Sequence, residues 1–420
     1  MTEITLAANQ LQSLPKAPPK LVPANSGGRS HCRLAALGGV SPDARRRTEE
    51  LVALAIRGLP QMYAQGAFAH TVRALHGGNG EAVRPEGDSL RYAINVALGL
   101  SFVSLDEQRK TLSGKTAADL VRSTVARAQT SNDLGAIALA AWTAAEATGI
   151  YATPLFHRLR AFVASDMPLA TVDCAWMLLA ATAGRLLGDT ASLTVAVRDR
   201  LLQAQSASGL FPHRLPASSS GRLRAHIGCF ADQVYAIQGL SRLCVATGDT
   251  TALAAANACA DRICALQGPS GQWWWHYDIR NGGVVERYPV YSVHQHAMGP
   301  MALLDLREAG GHDHLGAVIR GLRWLDQHPE VSDPVVSDAH NVIWRKAARR
   351  EPKKAVRAIA AFTTALKPGL QLPGLDNLFP PNRVDYECRP YELGWLLYAW
   401  LSGGTVQRLA EHAVNVPAQL

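Results

Sequence analysis

Apolar residues recur along most of the chain with the spacing of α-helices, and Gly or Pro separates one apolar stretch from the next. Two kinds of predicted helix alternate. One kind is apolar on nearly every face and rich in small residues, which is typical of a fully buried helix. The other kind has an apolar stripe opposite a charged face. This alternation predicts helical hairpins, each made of one inner and one outer helix.

The inner helices are predicted from their almost continuous apolar sequence near residues 89–100, 132–148, 172–186, 230–245, 292–307 and 390–401. The outer helices are predicted from their charged face near residues 105–128, 154–164, 190–205, 252–266, 314–328 and 338–364. A single hairpin cannot bury its apolar face alone, so neighbouring hairpins must stack. Six hairpins of this size favour a ring over an open solenoid.

The predicted fold class is therefore all-α, an (α/α)6 toroid of six helical hairpins that forms one domain over residues 29–420. Within it, residues 29–80 are expected to add a leading helical pair, and residues 81–405 to supply the six hairpins. Residues 1–28 are rich in Pro, Ser, Ala and Asn and are expected to form a disordered tail.

Two outer-helix ends share a sequence pattern in which Gln is followed by Gly four residues later and by an aromatic residue two positions after that. The first runs from Gln205 through Gly209 to Phe211, and the second from Gln267 through Gly271 to Trp273. A Gln near a helix end can bond free backbone groups, Gly permits a positive φ, and the aromatic ring packs back on the helix. The pattern predicts a repeated structural junction.

This junction resembles the QW motif of the toroid superfamily that contains terpenoid cyclases and protein prenyltransferases. The resemblance implies the toroid architecture. It does not extend to the chemistry, because the chain has no two adjacent aspartates and so has neither a DxDD nor a DDxxD motif. Only the segment from Asp385 to Cys388 is similar to part of the prenyltransferase zinc set. Six-hairpin toroids also include glycoside hydrolases, polysaccharide lyases and sugar epimerases, whose catalytic Asp, Glu, His, Tyr and Arg residues lie at the ring mouth.

Composition narrows the function classes. The net charge is +8 in 420 residues, and no zinc-finger or RNP pattern indicates nucleic-acid binding. The sequence contains no run of 18 apolar residues, so no membrane span is predicted. Seven scattered cysteines without a CxxC pair favour reduced thiols and a cytoplasmic location. No dinucleotide, phosphate-loop or metal-binding motif is present, so neither a cofactor nor a metal is predicted. The oligomeric state cannot be predicted.

Polar residues collect where the inner helices begin, at what would be one rim of the ring. They include Arg91, Asp232, Arg389 and Tyr391, with His213 just after the first Gln-Gly-aromatic junction. Asp133 and Asp173 also lie at inner-helix starts, where each is expected to cap its helix.

The densest cluster of candidate residues is the segment 273–296. Asn281-Gly282-Gly283 predicts a tight turn, and its flanks predict a small β-hairpin over the cavity mouth. The segment supplies five candidate site residues, Trp274, His276, Asp278, Tyr288 and His296, in addition to His294.

We expect His294, Tyr288, Glu387 and Asp232 to be catalytic, and Arg389, Trp274, His276, Asp278, His213, His296, Tyr391 and Arg91 to bind substrate. His294 with Tyr288 or Tyr291 forms a base–acid pair, and carboxylates across the ring suit glycosidic cleavage. The leading hypothesis is an enzyme acting on an anionic or complex saccharide by hydrolysis, elimination or epimerisation. The alternatives are an isoprenoid cyclase or transferase with an unusual acid, and a non-catalytic scaffold for polysaccharide biosynthesis.

Overall fold

The computed structural model describes residues 31–75, 82–165 and 167–411; the tail predicted for residues 1–28 lies outside these ranges. The α-helices are, in chain order, α1 His31–Val40, α2 Pro42–Gly58, α3 Leu90–Leu100, α4 Leu105–Thr111, α5 Ala117–Gln129, α6 Leu134–Thr148, α7 Thr153–Ala164, α8 Thr171–Gly184, α9 Ala191–Ala204, α10 Phe230–Thr247, α11 Thr250–Ala265, α12 Gly299–Glu308, α13 Leu315–Trp324, α14 Ala355–Leu366, α15 Leu375–Leu378, α16 Pro390–Leu401 and α17 Thr405–Glu411.

The strands are short: β1 Tyr63–Ala64, β2 Ala67–Phe68, β3 Thr71–Ala74, β4 Val83–Glu86, β5 Leu169–Ala170, β6 Arg214–Leu215, β7 Ile227–Cys229, β8 His276–Asp278, β9 Gly283–Glu286, β10 Val290–Tyr291, β11 Val336–Ser337, β12 Val342–Ile343, β13 Lys346–Ala348, β14 Arg383–Asp385 and β15 Glu387–Cys388. A π-helical turn, His294–Met298, leads into α12. No helix within the described ranges is long and apolar enough to cross a membrane.

Six inner helices form a closed ring. Around the ring, α3 packs against α6, α6 against α8, α8 against α10, α10 against α12 and α12 against α16. The last inner helix, α16, packs extensively against the first, α3. The inner helices are buried on nearly every face, as their sequences predict. The predicted ring of six hairpins is therefore confirmed.

The outer layer consists of α2, α5, α7, α9, α11 and α13, each of which precedes its inner helix. The helix α2 packs against α16 and α13, so it is the outer helix of the first hairpin. The predicted outer helix at 338–364 is wrong over residues 338–354, because this part contains the strands β12 and β13, and the helix α14 begins only at Ala355. Residues 346–348 pair with β10 and β14, and these distant strand partners override the helical pattern of the local sequence.

The repeated Gln-Gly-aromatic junction is confirmed as a structural device. Gln205 Nε2 donates to the carbonyls of Gly209 and Ala255, each at 2.8 Å. Gln267 Nε2 donates in the same way to Gly271 and Ala317, each at 2.9 Å. Both glycines have positive φ, and both aromatic residues are fully buried. Each Gln therefore joins its own helix end to the next outer helix.

A buried ionic network fills the ring near the C-terminal ends of the inner helices. Arg242 donates to Asp305 and Glu146, each at 2.6 Å, and to the Tyr398 hydroxyl at 2.7 Å. Arg33 of α1 donates to Asp305 at 2.5 Å. Because these residues come from α1 and four inner helices, the network ties the ring together at this end.

Small sheets surround the opposite rim, where the inner helices begin. The strands β5, β7 and β15 lead directly into α8, α10 and α16, and β10 leads into the π-helical turn. The predicted hairpin is confirmed as β8 and β9, with Gly282 at positive φ in its turn and β7 as a third strand. The side chains of the inner-helix starts are therefore the candidates for function.

Candidate active site

One arginine lies between two carboxylates at the starts of three consecutive inner helices. Arg91 of α3 donates through Nε to Asp133 Oδ2 at 2.6 Å and through Nη2 to Asp133 Oδ1. The same Nη2 lies 3.7 Å from Oδ1 of Asp173. The Arg91 guanidinium also lies 5.4 Å from the ring centroid of Trp176, one turn further along α8. Arg91 is thus fixed by contacts on several sides.

The two carboxylates have opposite local roles. Asp133 is the N-cap of α6 and accepts from the Ala136 N–H at 3.2 Å, so its predicted capping role is confirmed. Asp173 lies in the first turn of α8, whose N-cap is Ala170, and no described backbone hydrogen bond engages its carboxylate. The capping role predicted for Asp173 is wrong, and its carboxyl group is available for chemistry.

These environments move the two carboxyl pKa values in opposite directions. Burial raises the pKa of Asp173, and the nearby Asp133 and Asp232 carboxylates raise it further against the opposing charge of Arg91. Burial also acts to raise the pKa of Asp133, but the hydrogen bonds and charge of Arg91 outweigh it and lower that pKa. When the pKa values of two carboxyl groups in one site are shifted apart, the group with the raised pKa can act as an acid and the other stays ionised. Here these groups are Asp173 and Asp133.

A second group of polar residues lies at the starts of α3 and α16. Arg389 Nη1 donates to the Tyr92 hydroxyl at 2.7 Å. The Tyr92 ring contacts the rings of His70 at 5.2 Å and Tyr391 at 4.7 Å. Glu387 lies 3.7 Å from Arg389 and 2.5 Å from Arg73. This group combines aromatic faces with guanidinium donors.

Glu392 is the most buried carboxyl of that second group. Its Oε2 accepts from the Arg389 N–H at 3.2 Å, and its Oε1 has no hydrogen-bond partner. The Nε atom of Arg345 lies 3.9 Å away. Burial raises the pKa of Glu392 to about 7, against the opposing charges of Arg345 and Arg389. Glu392 can therefore exchange a proton near neutral pH.

His294 lies in the π-helical turn, among aromatic rings. Its ring centroid is 4.4 Å from that of Phe230, 5.9 Å from Trp275 and 5.1 Å from Tyr291. Burial lowers the pKa of His294 to about 3, so the imidazole is neutral at ordinary pH. Irregular turns of this kind are frequent at functional sites. Of the two tyrosines considered for a pair with His294, the structure places Tyr291 against it.

The third group lies at the start of α10. Asp232 is fully buried, and its Oδ2 accepts from the Cys229 N–H at 2.7 Å. His213 Nδ1 lies 3.1 Å from the same oxygen. His213 itself is half exposed, with 52% of its side chain accessible. The two predicted residues Asp232 and His213 are therefore in direct contact at the rim.

Five other predicted site residues are buried or pack against neighbouring side chains: His276, Asp278, Trp274, Tyr288 and His296. His276 lies 3.1 Å from Glu286 within the β8–β9 hairpin, and Asp278 pairs with Arg280 at 2.7 Å. Trp274 is 6% exposed and packs against Tyr288. His296 is fully buried, and neither of its ring nitrogens has a hydrogen-bond partner.

Sequence reasoning did not select Asp173, Glu392 or Arg345 for the site. The sequence predicts a capping role for Asp173, and Glu392 is not among the predicted site residues. Arg345 lies in the segment 338–364, which is predicted as an outer helix, whereas the structure places it 3.6 Å from Glu387 and over the Tyr291 ring. An acidic residue in the first turn of an otherwise apolar inner helix is the sequence signal that both acids share.

No protein-family model and no curated protein matches the chain. Among solved structures, an unsaturated glucuronyl hydrolase specific for heparin aligns with a TM-score of 0.54 and 13% identity, over 90% of this chain and 99% of that chain. A possible member of the GH105 family from Klebsiella pneumoniae gives 0.49 and 10%, over 88% and 94%. A polysaccharide lyase gives 0.48 and 11%, over 89% and 99%. The first likeness shows that this chain has the same α/α-toroid fold.

Proposed function

We propose that this protein is a carbohydrate-active enzyme that cleaves glycosidic bonds, with Asp173 as the proton donor. The observation that carries the proposal is the position of Arg91, whose guanidinium lies 2.6 Å from the Asp133 carboxylate and 3.7 Å from that of Asp173. In this arrangement the pKa of Asp173 is raised by burial, and the pKa of Asp133 is lowered by its bonds to Arg91. Protonated Asp173 can donate to the glycosidic oxygen as the bond to the anomeric carbon breaks, water adds to that carbon, and the proton which this water loses restores Asp173. Ionised Asp133 holds Arg91 in place.

The chemistry of the rim favours a saccharide over an isoprenoid. A cavity for carbocations needs apolar and aromatic walls, whereas the inner-helix starts carry Arg91, Asp173, Arg389 and Glu392. Partly buried Trp275, whose ring is 4.7 Å from that of Tyr291, adds an aromatic face of the kind that sugar rings contact. The shared fold with a glucuronyl hydrolase supports the same choice.

An anionic saccharide is the finer form of the proposal. Arg389 presents a guanidinium whose Nε has no hydrogen-bond partner, so it retains a donor for a carboxylate or sulfate. Neutral His294 and the Tyr291 hydroxyl lie beside Arg345 and extend this polar wall. The free thiols of Cys174, Cys259 and Cys388 support a reducing, cytoplasmic location.

The test is turnover of defined oligosaccharides by the full chain. We expect release of reducing ends from a panel of neutral, uronate-containing and unsaturated uronyl oligosaccharides, with preference for a uronate. Asp173→Asn, which keeps the shape of the side chain, should lower kcat by about 1000-fold, within the range expected for loss of a general acid.

Folded wild-type protein that cleaves no member of the panel would refute the proposal. Full activity in Asp173→Asn would refute the assignment of the proton donor. Binding of prenyl diphosphates, measured by thermal shift without any response to sugars, would favour an isoprenoid enzyme instead.

A further inference from the structure

Three potential metal ligands converge where β7 passes into α10. The ligand atoms of His213, Cys229 and Asp232 all lie within 4.8 Å of one another. Imidazole nitrogen, thiolate sulfur and carboxylate oxygen are the three ligand types that Zn²⁺ accepts in proteins. Three protein ligands leave a fourth position of a tetrahedral ion for water or another small ligand. The half-exposed His213 makes the group accessible from solvent.

Each ligand is held by contacts that do not depend on a metal. The backbone of His213 is fixed on two sides, since its N–H donates to Ile227 O at 3.0 Å and its carbonyl accepts from Thr171 N–H at 3.1 Å. Gln233 bonds both backbone groups of Phe211, at 2.8 and 2.9 Å, and so holds the His213 segment against α10. A preformed site of this kind needs little reorganisation to bind an ion.

The start of α10 presents backbone N–H donors to the thiol of Cys229. Cys229 is the N-cap of α10, and its Sγ accepts a hydrogen bond from the Asp232 N–H. Backbone N–H groups at a helix N-terminus stabilise a thiolate. Burial acts in the opposite direction and raises the pKa of the Cys229 thiol, as does the adjacent Asp232 carboxylate. A metal ion would replace the proton of the Cys229 thiol. The Asp232 carboxylate, which opposes ionisation of that thiol without a metal, would then become a ligand of the ion.

We propose that His213, Cys229 and Asp232 form a mononuclear Zn²⁺ site at the rim of the toroid. Binding would release the thiol proton as the Cys229 sulfur bonds the ion. The charges of Zn²⁺, one thiolate and one carboxylate sum to zero, which suits a site with two buried ligands. Arg214 and Arg224 contribute positive charge near His213, and the two anionic ligands offset it.

The chain provides an internal control. Asp261, His312 and His314 form a second group with metal-ligand spacing, and this group is more exposed and contains no thiol. The two sites are therefore distinguishable by spectroscopy. Cobalt bound by Cys229 would show an intense thiolate-to-metal charge-transfer band, which the Asp-His-His group cannot produce.

The experiment uses the full chain, freed of metal by chelator dialysis, reloaded with Zn²⁺ or Co²⁺, and desalted. We expect one bound Zn²⁺ per chain by elemental analysis, and the thiolate band in the Co²⁺ form. Cys229→Ser keeps a side chain that can cap the helix, and it should weaken Zn²⁺ binding by about 100-fold or more, beyond the loss expected for an outer-shell change. The double variant His312→Ala/His314→Ala should bind as the wild type does.

Wild-type protein that retains no Zn²⁺ would overturn the proposal. So would unchanged binding by Cys229→Ser, or loss of binding only in the His312/His314 variant. If Cys229→Ser does not fold, by circular dichroism, the Co²⁺ spectrum of the wild type decides, because absence of the thiolate band excludes Cys229 as a ligand. None of these measurements depends on the proposed glycosidase activity.

Discussion

Gly135 provides the space in which Asp173 approaches Arg91. A Cβ atom added at Gly135, in the first turn of α6, would lie 2.5 Å from Asp173 Oδ1. It would also lie 2.6 Å from Cζ of Arg91. Both distances are far below van der Waals contact, and Arg91 is held by its bonds to Asp133. A side chain at position 135 is therefore incompatible with the observed arrangement of the pair.

Gly135→Ala is predicted to damage the site while leaving the fold intact. We expect kcat to fall by about 10- to 100-fold, because a displacement of about 1 Å in a catalytic group has effects of this size. Alanine is the better helix former by about 1 kcal/mol, which offsets the local clash in the stability of the fold. The measurement is kcat together with the titration of the Asp173 carboxyl carbon by NMR.

The matched control for this variant is Gly316→Ala in the outer helix α13. There the nearest atom to an added Cβ is Arg320 Nη1, at 3.8 Å. This substitution should leave kcat unchanged and raise the free energy of unfolding by up to about 1 kcal/mol. A wild-type kcat and an unshifted Asp173 titration in Gly135→Ala would contradict the steric argument.

The second prediction concerns the buried network around Arg242. Replacing Arg242 by Met leaves Asp305 and Glu146 with one less buried cation, and breaking a buried ion pair in this way costs about 3–5 kcal/mol. We expect a loss of that order in the free energy of unfolding, measured by urea denaturation. The exposed pair of Arg45 and Glu49 is the control, and Arg45→Met should cost less than about 1 kcal/mol. Equal effects of the two substitutions would show that the network does not stabilise the ring.

The inner helices could be predicted because the apolar pattern that identifies each one lies within its own segment of sequence. The segment 390–401 is apolar at almost every position, and the structure places α16 within the same bounds. The segment 338–364 failed for the opposite reason. Its charged and apolar residues fit a helix locally, but Lys346 pairs with both Tyr291 and Asp385 across the sheet. Strand pairing between distant segments leaves little trace in local periodicity.

The location of the site at one rim of the ring could be predicted from the sequence, but only some of its residues could. Sequence placed polar residues at the inner-helix starts because a ring must bring those starts to one rim. It could not show that Arg91 links Asp133 to Asp173, since the three residues belong to three helices. It could not distinguish rim from core for His296 either, because both environments occur within one turn of the same inner helix.

The third prediction uses His296, whose two ring nitrogens are buried without partners. Burial lowers the pKa of His296 to about 3 from a usual value of 6.5. The unfolded chain therefore binds the proton more tightly, and stability is lost as pH falls from about 6.5 towards 3. His296→Phe should remove this contribution, which is on the order of 5 kcal/mol over the full range.

We therefore expect His296→Phe to be less sensitive to acid than the wild type in urea denaturation at pH 7 and pH 4. Because an unpaired buried polar group is costly, we also expect the variant to be at least as stable at pH 7. The exposed His157 provides the control, and His157→Gln should show the acid sensitivity of the wild type. A His296→Phe variant that loses as much stability as the wild type at pH 4 would contradict this account.

The last prediction concerns Glu392, and its sign is opposite to that of His296. Burial raises the pKa of Glu392 from 4.5 to about 7, and Arg345 and Arg389 oppose the rise while Asp385 adds to it. The folded state therefore holds the proton more tightly than the unfolded state. The resulting stability is fully present below about pH 4.5 and is lost as pH rises through 7. The difference between these limits is about 3 kcal/mol.

Glu392→Gln keeps the shape of the side chain and removes its titration. The free energy of unfolding of this variant, relative to wild type, should therefore increase by about 3 kcal/mol between pH 4.5 and pH 8, measured by urea denaturation at each pH. Glu49→Gln on the exposed surface is the control and should show no such trend. A constant difference between Glu392→Gln and wild type across this range would mean that Glu392 is ionised in the folded protein, and would remove it as a group able to exchange a proton at the rim.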